Sequence, residues 1–99
     1  MSFRHVVMLS WVDGTTAEQQ QTIVDALRAL PGQIPEIRSY TVGTDAGVNE
    51  GNHNVVIVAD FDSVDDYLVY RDHPVHRALI AEHISPVLTG RAAVQHDIE

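Results

Sequence analysis

The segment from residue 53 to residue 61 restricts the fold of this chain most, because apolar side chains alternate along both faces of it. On one face of such a strand lie Val55, Ile57, Ala59 and Phe61, and on the other lie Val56, Val58 and Asp60. A strand with apolar residues on both faces needs cover on both faces. We therefore predict that it lies centrally in its sheet.

Residues 3 to 12 show the same alternation. One face carries Phe3, His5, Val7, Leu9 and Trp11, and the other carries Arg4, Val6, Met8 and Ser10. Asp13-Gly14 then predicts a turn, and Thr15 with Glu18 three residues later predicts a capping box at a helix start. The apolar stripe of that helix is Ile23, Val24, Leu27 and Leu30, and Pro31-Gly32 ends it.

The second half of the chain predicts a strand, two short helices and a closing strand. Residues 37 to 42 are a second strand, and residues 43 to 52 form a loop rich in Gly, Asp and Asn. Ser63 caps a helix with Val64, Tyr67 and Leu68 inward, and His73-Pro74 interrupts it. A third helix, with a stripe of Val75, Leu79 and Ile80, runs to about residue 88, although Pro86 should kink or end it early. Residues 91 to 98 then form a closing strand.

The order strand, helix, strand, strand, helix, strand matches the α+β ferredoxin-like motif, in which the helices cover one face of an antiparallel sheet. We expect one domain over residues 1 to 99. Apolar residues on the other face, Val6, Met8, Val56 and Val58, would then be exposed. A symmetric second copy is the simplest cover, so the pattern favours a homodimer.

Charge and composition narrow the function classes. The chain has six arginines, no lysines and fourteen acidic residues, for a net charge of −8. No run of basic residues is long enough to bind along a phosphate backbone, so nucleic acid is not an expected partner. The absence of cysteine removes thiolate chemistry and fits a cytoplasmic protein. The N-terminal apolar stretch is too short to span a bilayer, so we expect no membrane partner.

Tyr70 and His76 are the candidate catalytic residues. They flank the His73-Pro74 break and could face a common cavity. A neutral imidazole can take a proton near neutral pH, and a phenol can donate a hydrogen bond to a carbonyl oxygen that becomes an enolate. For each residue the alternative is a structural role: a packed histidine bonded to backbone, or a tyrosine at the edge of the core.

Other histidines are weaker candidates. His5 lies on an apolar strand face, where it either contacts a ligand or is a hydrogen-bonded core histidine. His73, before a proline, is most simply a capping residue, with substrate contact as the alternative. His73, His76 and His83 have spacings compatible with a helical face, but no further ligand accompanies them, so we expect neither a metal nor a cofactor.

Three stretches carry a resemblance to a known family: residues 3 to 9 (FRHVVML), residues 59 to 64 (ADFDSV) and residues 66 to 76 (DYLVYRDHPVH). Over nearly its whole length the chain resembles the stress-responsive A/B-barrel (Dabb) family. That resemblance implies a dimeric α+β barrel in which two sheets pack face to face. It agrees with the uncovered face inferred from the strand pattern.

The chain also looks like plant polyketide cyclases of the olivetolic acid cyclase type, which close a linear poly-β-ketoacyl-CoA by aldol chemistry. That resemblance implies catalytic roles for Tyr70 and His76, and pocket positions for His5 and Val7. Val55 and Leu27 stand where those cyclases place a second pocket histidine and a pocket tyrosine. The acid–base pair is kept and the substrate contacts differ, which implies a different carbonyl compound.

Two functions of different classes follow. The chain is either a cofactor-free cyclase, isomerase or lyase acting on a β-keto or phenolic carbonyl compound, or a non-catalytic stress-responsive barrel that binds a small apolar ligand. Cofactor-free monooxygenases and muconolactone-type isomerases resemble the chain only at the level of the fold. An open, partly polar cavity that reaches Tyr70, His76 and His5 would favour chemistry.

Overall fold

The computed structural model describes residues 2–98. The strands are β1 (Ser2–Trp11), β2 (Ser39–Thr44), β3 (Val55–Phe61) and β4 (Leu88–Ile98), and the helices are α1 (Ala17–Arg28), α2 (Val64–Asp72) and α3 (Pro74–Leu79). A short 3-10 turn (Leu30–Gly32) follows α1, and a π-helical turn (Ile80–Ile84) continues α3. The predicted order of elements, including the break at His73-Pro74, is confirmed.

The four strands form one sheet in the order β2-β3-β1-β4, with every neighbouring pair antiparallel. The two strands with apolar residues on both faces, β1 and β3, are therefore central, and this position was predicted for β3. Their register places His5 opposite Ala59 and Val7 opposite Ile57. This is the ferredoxin-like α+β arrangement expected from the sequence.

The core lies between the sheet and the helices. Its most buried large side chains come from α1, the chain that follows it, and β3: Val24, Leu27, Leu30, Ile34, Val55 and Phe61. On β1 the buried face is that of His5, Val7, Leu9 and Trp11, which confirms the predicted orientation of the strand. Burial of this face supplies the main driving force for folding.

The opposite face of the sheet has no helix on it. Met8 is 37% exposed, Val94 is 57% exposed, and Val6, Val56 and Val58 are half-buried. Arg4 and Asp60, on neighbouring strands, form a two-pronged ion pair on this face, with nitrogen–oxygen distances of 2.7 and 2.8 Å. A largely apolar surface with one internally paired charge suits contact with a protein surface.

Several boundaries differ from those predicted. The N-cap of α1 is Thr16, whose hydroxyl accepts from Gln19 N–H while the Gln19 side chain accepts from Thr16 N–H. Thr15 instead donates its hydroxyl to the Val12 carbonyl. β2 begins at Ser39, because Ile37 packs into the core beforehand, and β4 begins at Leu88, which pairs with Trp11.

The buried face of α2 was predicted in part: Tyr67 packs against the core as predicted, but Val64 does not. Val64 is 48% exposed, whereas Tyr70 is 2% exposed and is the buried residue of this helix. Tyr67 and Tyr70, three residues apart, both pack on Phe61, so aromatic contacts with β3 set the rotation of the helix. Val75 is also exposed, and α3 with its π-helical turn ends before Pro86.

Replacement of the observed cap tests the start of α1. We expect Thr16→Ala to lower the free energy of unfolding by about 1 kcal/mol, because Gln19 N–H loses its acceptor. Thr22→Ala, an exposed site within the same helix, is the matched control and should cost less. Urea unfolding of both variants at one protein concentration measures the difference. Equal costs would show that Thr16 is not the cap.

Candidate functional site

A cavity of about 450 Å³ lies on the helix side of the sheet. It is bounded by β1, β3, α1, the α2–α3 pair, the π-helical turn and the start of β4. Its aliphatic walls are made mainly by Val7, Leu9, Leu27, Ile57, Ile80 and Ile84. The aromatic and imidazole rings of His5, Tyr67, Tyr70 and His76 also line it, so the cavity is apolar with a few convergent polar groups.

The break between α2 and α3 positions His76. His73 Nδ1 accepts from Val75 N–H at 3.2 Å, which caps α3 and leaves the Arg71 carbonyl without the N–H that a continuous helix would supply. His76 Nδ1 lies 3.1 Å from that carbonyl oxygen. A carbonyl only accepts, so Nδ1 carries the proton and Nε2 keeps its lone pair.

Burial lowers the pKa of His76, since the charged imidazolium is poorly solvated in this cavity, although the bond to the Arg71 carbonyl opposes that effect. The imidazole is therefore neutral at neutral pH. A neutral imidazole with a fixed tautomer and a free Nε2 has the chemical form of a general base.

Tyr70 lies directly against His76, with 4.2 Å between the ring centroids. Its hydroxyl oxygen is 2.9 Å from that of Tyr40 on β2. Burial raises the pKa of Tyr70 to about 12, while the hydrogen bond with Tyr40 lowers it. Burial also raises the pKa of Tyr40. The two phenols thus stay protonated at neutral pH, and when Tyr40 donates, the Tyr70 O–H remains available to another acceptor.

His5 reaches the cavity from β1. Its Nδ1 accepts from Gln95 Nε2 at 2.8 Å, which leaves the proton of the neutral ring on Nε2. The pKa of His5 is lowered to about 4. Burial is the largest cause, and the positive charge of Arg91 and then that of protonated His76 add smaller effects. His5 is therefore a neutral N–H donor beside a neutral base.

The structure brings together five of the seven residues singled out in the sequence: Tyr70, His76, His5, Val7 and Leu27 line the cavity. Val55 and His73 do not line it. Val55 is a core residue at the end of β3 and borders a separate depression beside the loop after β2, whereas His73 serves as the cap of α3. Their expected contact with the same substrate is not supported by these positions.

Sequence reasoning missed Tyr40 and three arginines. Tyr40 and Val42 alternate onto the helix side of β2, so the strand pattern contained a signal for Tyr40. Arg71, Arg77 and Arg91 line the cavity from α2, α3 and β4. Because they come from three elements, no spacing along the chain indicates that they meet.

No group of three or more histidine, cysteine or acidic side chains within residues 2–98 is arranged to hold a metal ion. None of the helices in that range combines the length and the apolar character needed to cross a membrane.

The fold and the cavity define a ferredoxin-like α+β protein with a helix-side pocket. The family model "Stress responsive A/B Barrel Domain" (Dabb) matches residues 3–98. The chain belongs to this family, as the sequence motifs predicted.

Two solved structures share this fold. A dimeric ferredoxin-like protein of unknown function from Thermobifida fusca is 41% identical, with a TM-score of 0.90 over 99% of this chain and 92% of that chain. A hydroxynitrile lyase from Passiflora edulis is 20% identical, with a TM-score of 0.85 over 99% and 94% of the two chains.

A curated relative is an uncharacterised protein of Streptomyces coelicolor. It is 29% identical over 80 residues, which cover 79% of this chain and 82% of the relative.

The titration of His5 tests the electrostatics of the cavity. We expect its ring proton resonances to change in NMR spectra with a midpoint near pH 4. Since this folded-state pKa lies below the ordinary value of about 6.5, His5 stabilises the fold fully above about pH 6.5, and that contribution is lost as the pH falls towards 4. A midpoint near 6.5 would contradict the neutral buried imidazole.

Proposed function

We propose that this protein is a cofactor-independent enzyme that removes a proton next to the carbonyl of a small β-keto or phenolic compound, in a cyclase-, isomerase- or lyase-type reaction. One observation carries the proposal: His76 is held by the Arg71 carbonyl with its Nε2 free, against Tyr70, inside an apolar cavity. Such a group matches the requirements of a general base.

In the proposed step, His76 Nε2 takes the proton from the carbon beside the substrate carbonyl. The electron pair of that C–H bond forms the enolate, and negative charge develops on the carbonyl oxygen. The Tyr70 O–H and the His5 Nε2–H are the donors that stabilise this oxygen or a second oxygen of the substrate. The enolate is then protonated, attacks a second carbonyl, or expels a leaving group.

Tyr40 supports this assignment of donors. Tyr40 and Tyr70 share one hydrogen bond, and a Tyr40 proton directed at Tyr70 leaves the Tyr70 proton for the substrate. A hydroxyl that accepts a hydrogen bond becomes a stronger donor, so the bond from Tyr40 strengthens the Tyr70 O–H as a donor. Tyr40 is therefore proposed as a positioning residue for Tyr70.

The fold-level neighbours are compatible with this chemistry. The Passiflora edulis protein of the same fold is a hydroxynitrile lyase. With a hydroxynitrile the base would take the hydroxyl proton while the bond to the nitrile carbon breaks and cyanide leaves, so hydroxynitriles test a second use of the same base, beside ketones and β-keto compounds. Cyclase activity of the polyketide type remains one member of the proposed class. The expectation of a cytoplasmic location, which comes from the absence of cysteine, belongs to the same proposal.

Two variants test the proposed roles on a panel of aryl ketones, β-keto acids with their esters, and hydroxynitriles. Deuterium exchange beside the carbonyl and product formation are followed by proton NMR. We expect His76→Gln to lower kcat/KM by roughly 10²- to 10⁴-fold, through loss of the base. Tyr70→Phe should lower it by about 10²-fold, through loss of a donor to the developing oxyanion.

The control for these variants is His83→Gln, which changes a histidine outside the cavity lining and should leave the rate unchanged. The pH profile gives a second readout. Because the pKa of His76 is lowered, kcat/KM should rise with pH to a plateau through a midpoint below 6.5, and His76→Gln should abolish that rise. Unchanged turnover in His76→Gln would exclude this mechanism.

A second candidate function is binding without catalysis. Within residues 2–98 every fully buried side-chain nitrogen and oxygen atom has a hydrogen-bond partner, so no fully buried polar group requires a ligand. That observation favours a stress-responsive barrel that holds a small apolar molecule. In that case the Tyr70 and His76 variants would alter ligand affinity or stability and no rate.

We also propose that the chain acts as a homodimer, with the helix-free faces of two sheets packed together. The apolar residues of that face and the dimeric Thermobifida fusca protein support it. The cavity lies on the other side of the sheet, so each chain would keep its own site.

Val94→Asp tests the dimer. Val94 is exposed in the single chain, so the fold should tolerate the change, whereas a carboxylate buried between two sheets is costly. We expect the wild-type protein to elute as a dimer and Val94→Asp as a folded monomer, by size-exclusion chromatography with light scattering. Val48→Asp, in an 81% exposed loop position, is the control and should stay dimeric. A dimeric Val94→Asp protein would exclude this interface.

A further inference from the structure

Half of the basic residues of this acidic chain line one cavity. The chain has six arginines and no lysines against fourteen acidic residues, yet Arg71, Arg77 and Arg91 all line the helix-side cavity. No aspartate or glutamate of residues 2–98 is among its lining residues. The local charge is therefore opposite in sign to that of the whole molecule.

Only part of this positive charge is neutralised within residues 2–98. Arg71 forms a two-pronged ion pair with Asp72, at 2.9 and 3.0 Å, and Arg77 approaches the same carboxylate at 3.8 Å. One carboxylate is thus shared between two guanidinium groups. Over that range Arg91 makes no ion pair, which leaves the cavity margin with net positive charge.

Arg91 enters from the other side of the cavity. It lies on β4 opposite Leu9 of β1, whose side chain also lines the cavity. Its charge contributes to the lowered pKa of His5, so Arg91 and His5 are electrostatically coupled. All three arginines are exposed residues, whereas Tyr70 is buried, so the guanidinium groups lie at the solvent side and the phenol lies inside.

We propose that the natural ligand of this cavity is a carboxylate, whose anionic group is held at the solvent side by Arg91 together with Arg71 and Arg77. This assignment rests on the proposed function for the placement of the carbonyl against His76, but the anion site itself does not depend on catalysis. A guanidinium presents parallel N–H donors that match the two oxygens of a carboxylate. The aliphatic walls hold the apolar part of the same molecule, and Ser85 adds a hydroxyl near the entrance.

The cavity volume limits the size of the ligand. About 450 Å³ lies in the lower part of the usual range for small-molecule sites. A single aromatic ring or short alkyl chain with a ketone and a terminal carboxylate fits this description. The proposed substrate class is therefore a small keto acid, in preference to a neutral ketone.

A matched pair of probes tests the anion site. The acid is 4-oxo-4-phenylbutanoate, and its neutral counterpart is 4-oxo-4-phenylbutanamide, which has nearly the same shape. Isothermal titration calorimetry on the full-length wild-type protein should show the acid binding about tenfold or more tightly than the amide, because a charged hydrogen-bonded pair is present only with the acid. Added salt should weaken binding of the acid and not of the amide.

Two variants identify the arginine responsible. Arg91→Gln should remove the preference for the acid and leave the affinity for the amide unchanged, and Arg77→Gln should reduce the preference in part. Arg38→Gln is the control, because Arg38 is exposed, pairs with Asp62 away from the cavity and changes the net charge equally. It should bind both probes as the wild-type protein does.

Two results with the wild-type protein would overturn the inference: no binding of the acid at millimolar concentration, or equal affinity for the acid and the amide. Two results with Arg91→Gln would also overturn it. One is an unchanged preference for the acid, and the other is a change in oligomeric state, which would assign this arginine to an interface. The proposed catalysis fails separately. Arginine-dependent binding of the acid without turnover of any keto acid would keep the anion site and exclude the enzyme. Equal turnover of keto acids and their esters would keep the enzyme and exclude the anion site.

Discussion

The rest of the structure depends on the pairing of β1 with β3, two strands that carry apolar side chains on both faces. Placed at the centre of the sheet, they require cover on both sides. The helices cover one side and enclose both the core and the cavity. The other side keeps a partly exposed apolar surface, with Arg4 and Asp60 paired across it. One hydrophobic pattern therefore separates the side of the sheet that carries the cavity from the side that keeps an apolar surface.

The interruption between α2 and α3 links the fold to the candidate site. Pro74 ends one helix and starts the next, and His73 caps the new helix. The Arg71 carbonyl then accepts a hydrogen bond from His76 Nδ1–H, which sets the tautomer of the imidazole. The proline break, which is unfavourable inside a helix, thus leaves the Arg71 carbonyl available to orient the His76 imidazole. Tyr70, one residue before Arg71, is buried by its contacts with β3 and completes the pair.

Much of the candidate site was predictable because its parts are local in the chain. Tyr70, His76 and the break between them lie within seven residues, and His5 and Val7 alternate onto the same face of one strand. Tyr40, Gln95 and Arg91 act through contacts with residues far away in the chain, so their roles were not visible in any spacing. The expected buried face of α2 was right for Tyr67 and wrong for Val64, because aromatic packing on Phe61 outweighed the weak apolar pattern of that short helix.

By itself the sequence determined the order of the elements, the central position of β3, the helix break and the family, because period-2 alternation, proline and capping residues act over a few neighbouring positions. Only the tertiary structure decided which side chains share the cavity. It joined His5 to Gln95 and Tyr70 to Tyr40, and it gathered three arginines from separate elements. It also placed Val55 in the core, away from the cavity. The physical reason is that desolvation, ion pairing and cavity shape depend on distances across the fold, which local patterns do not encode.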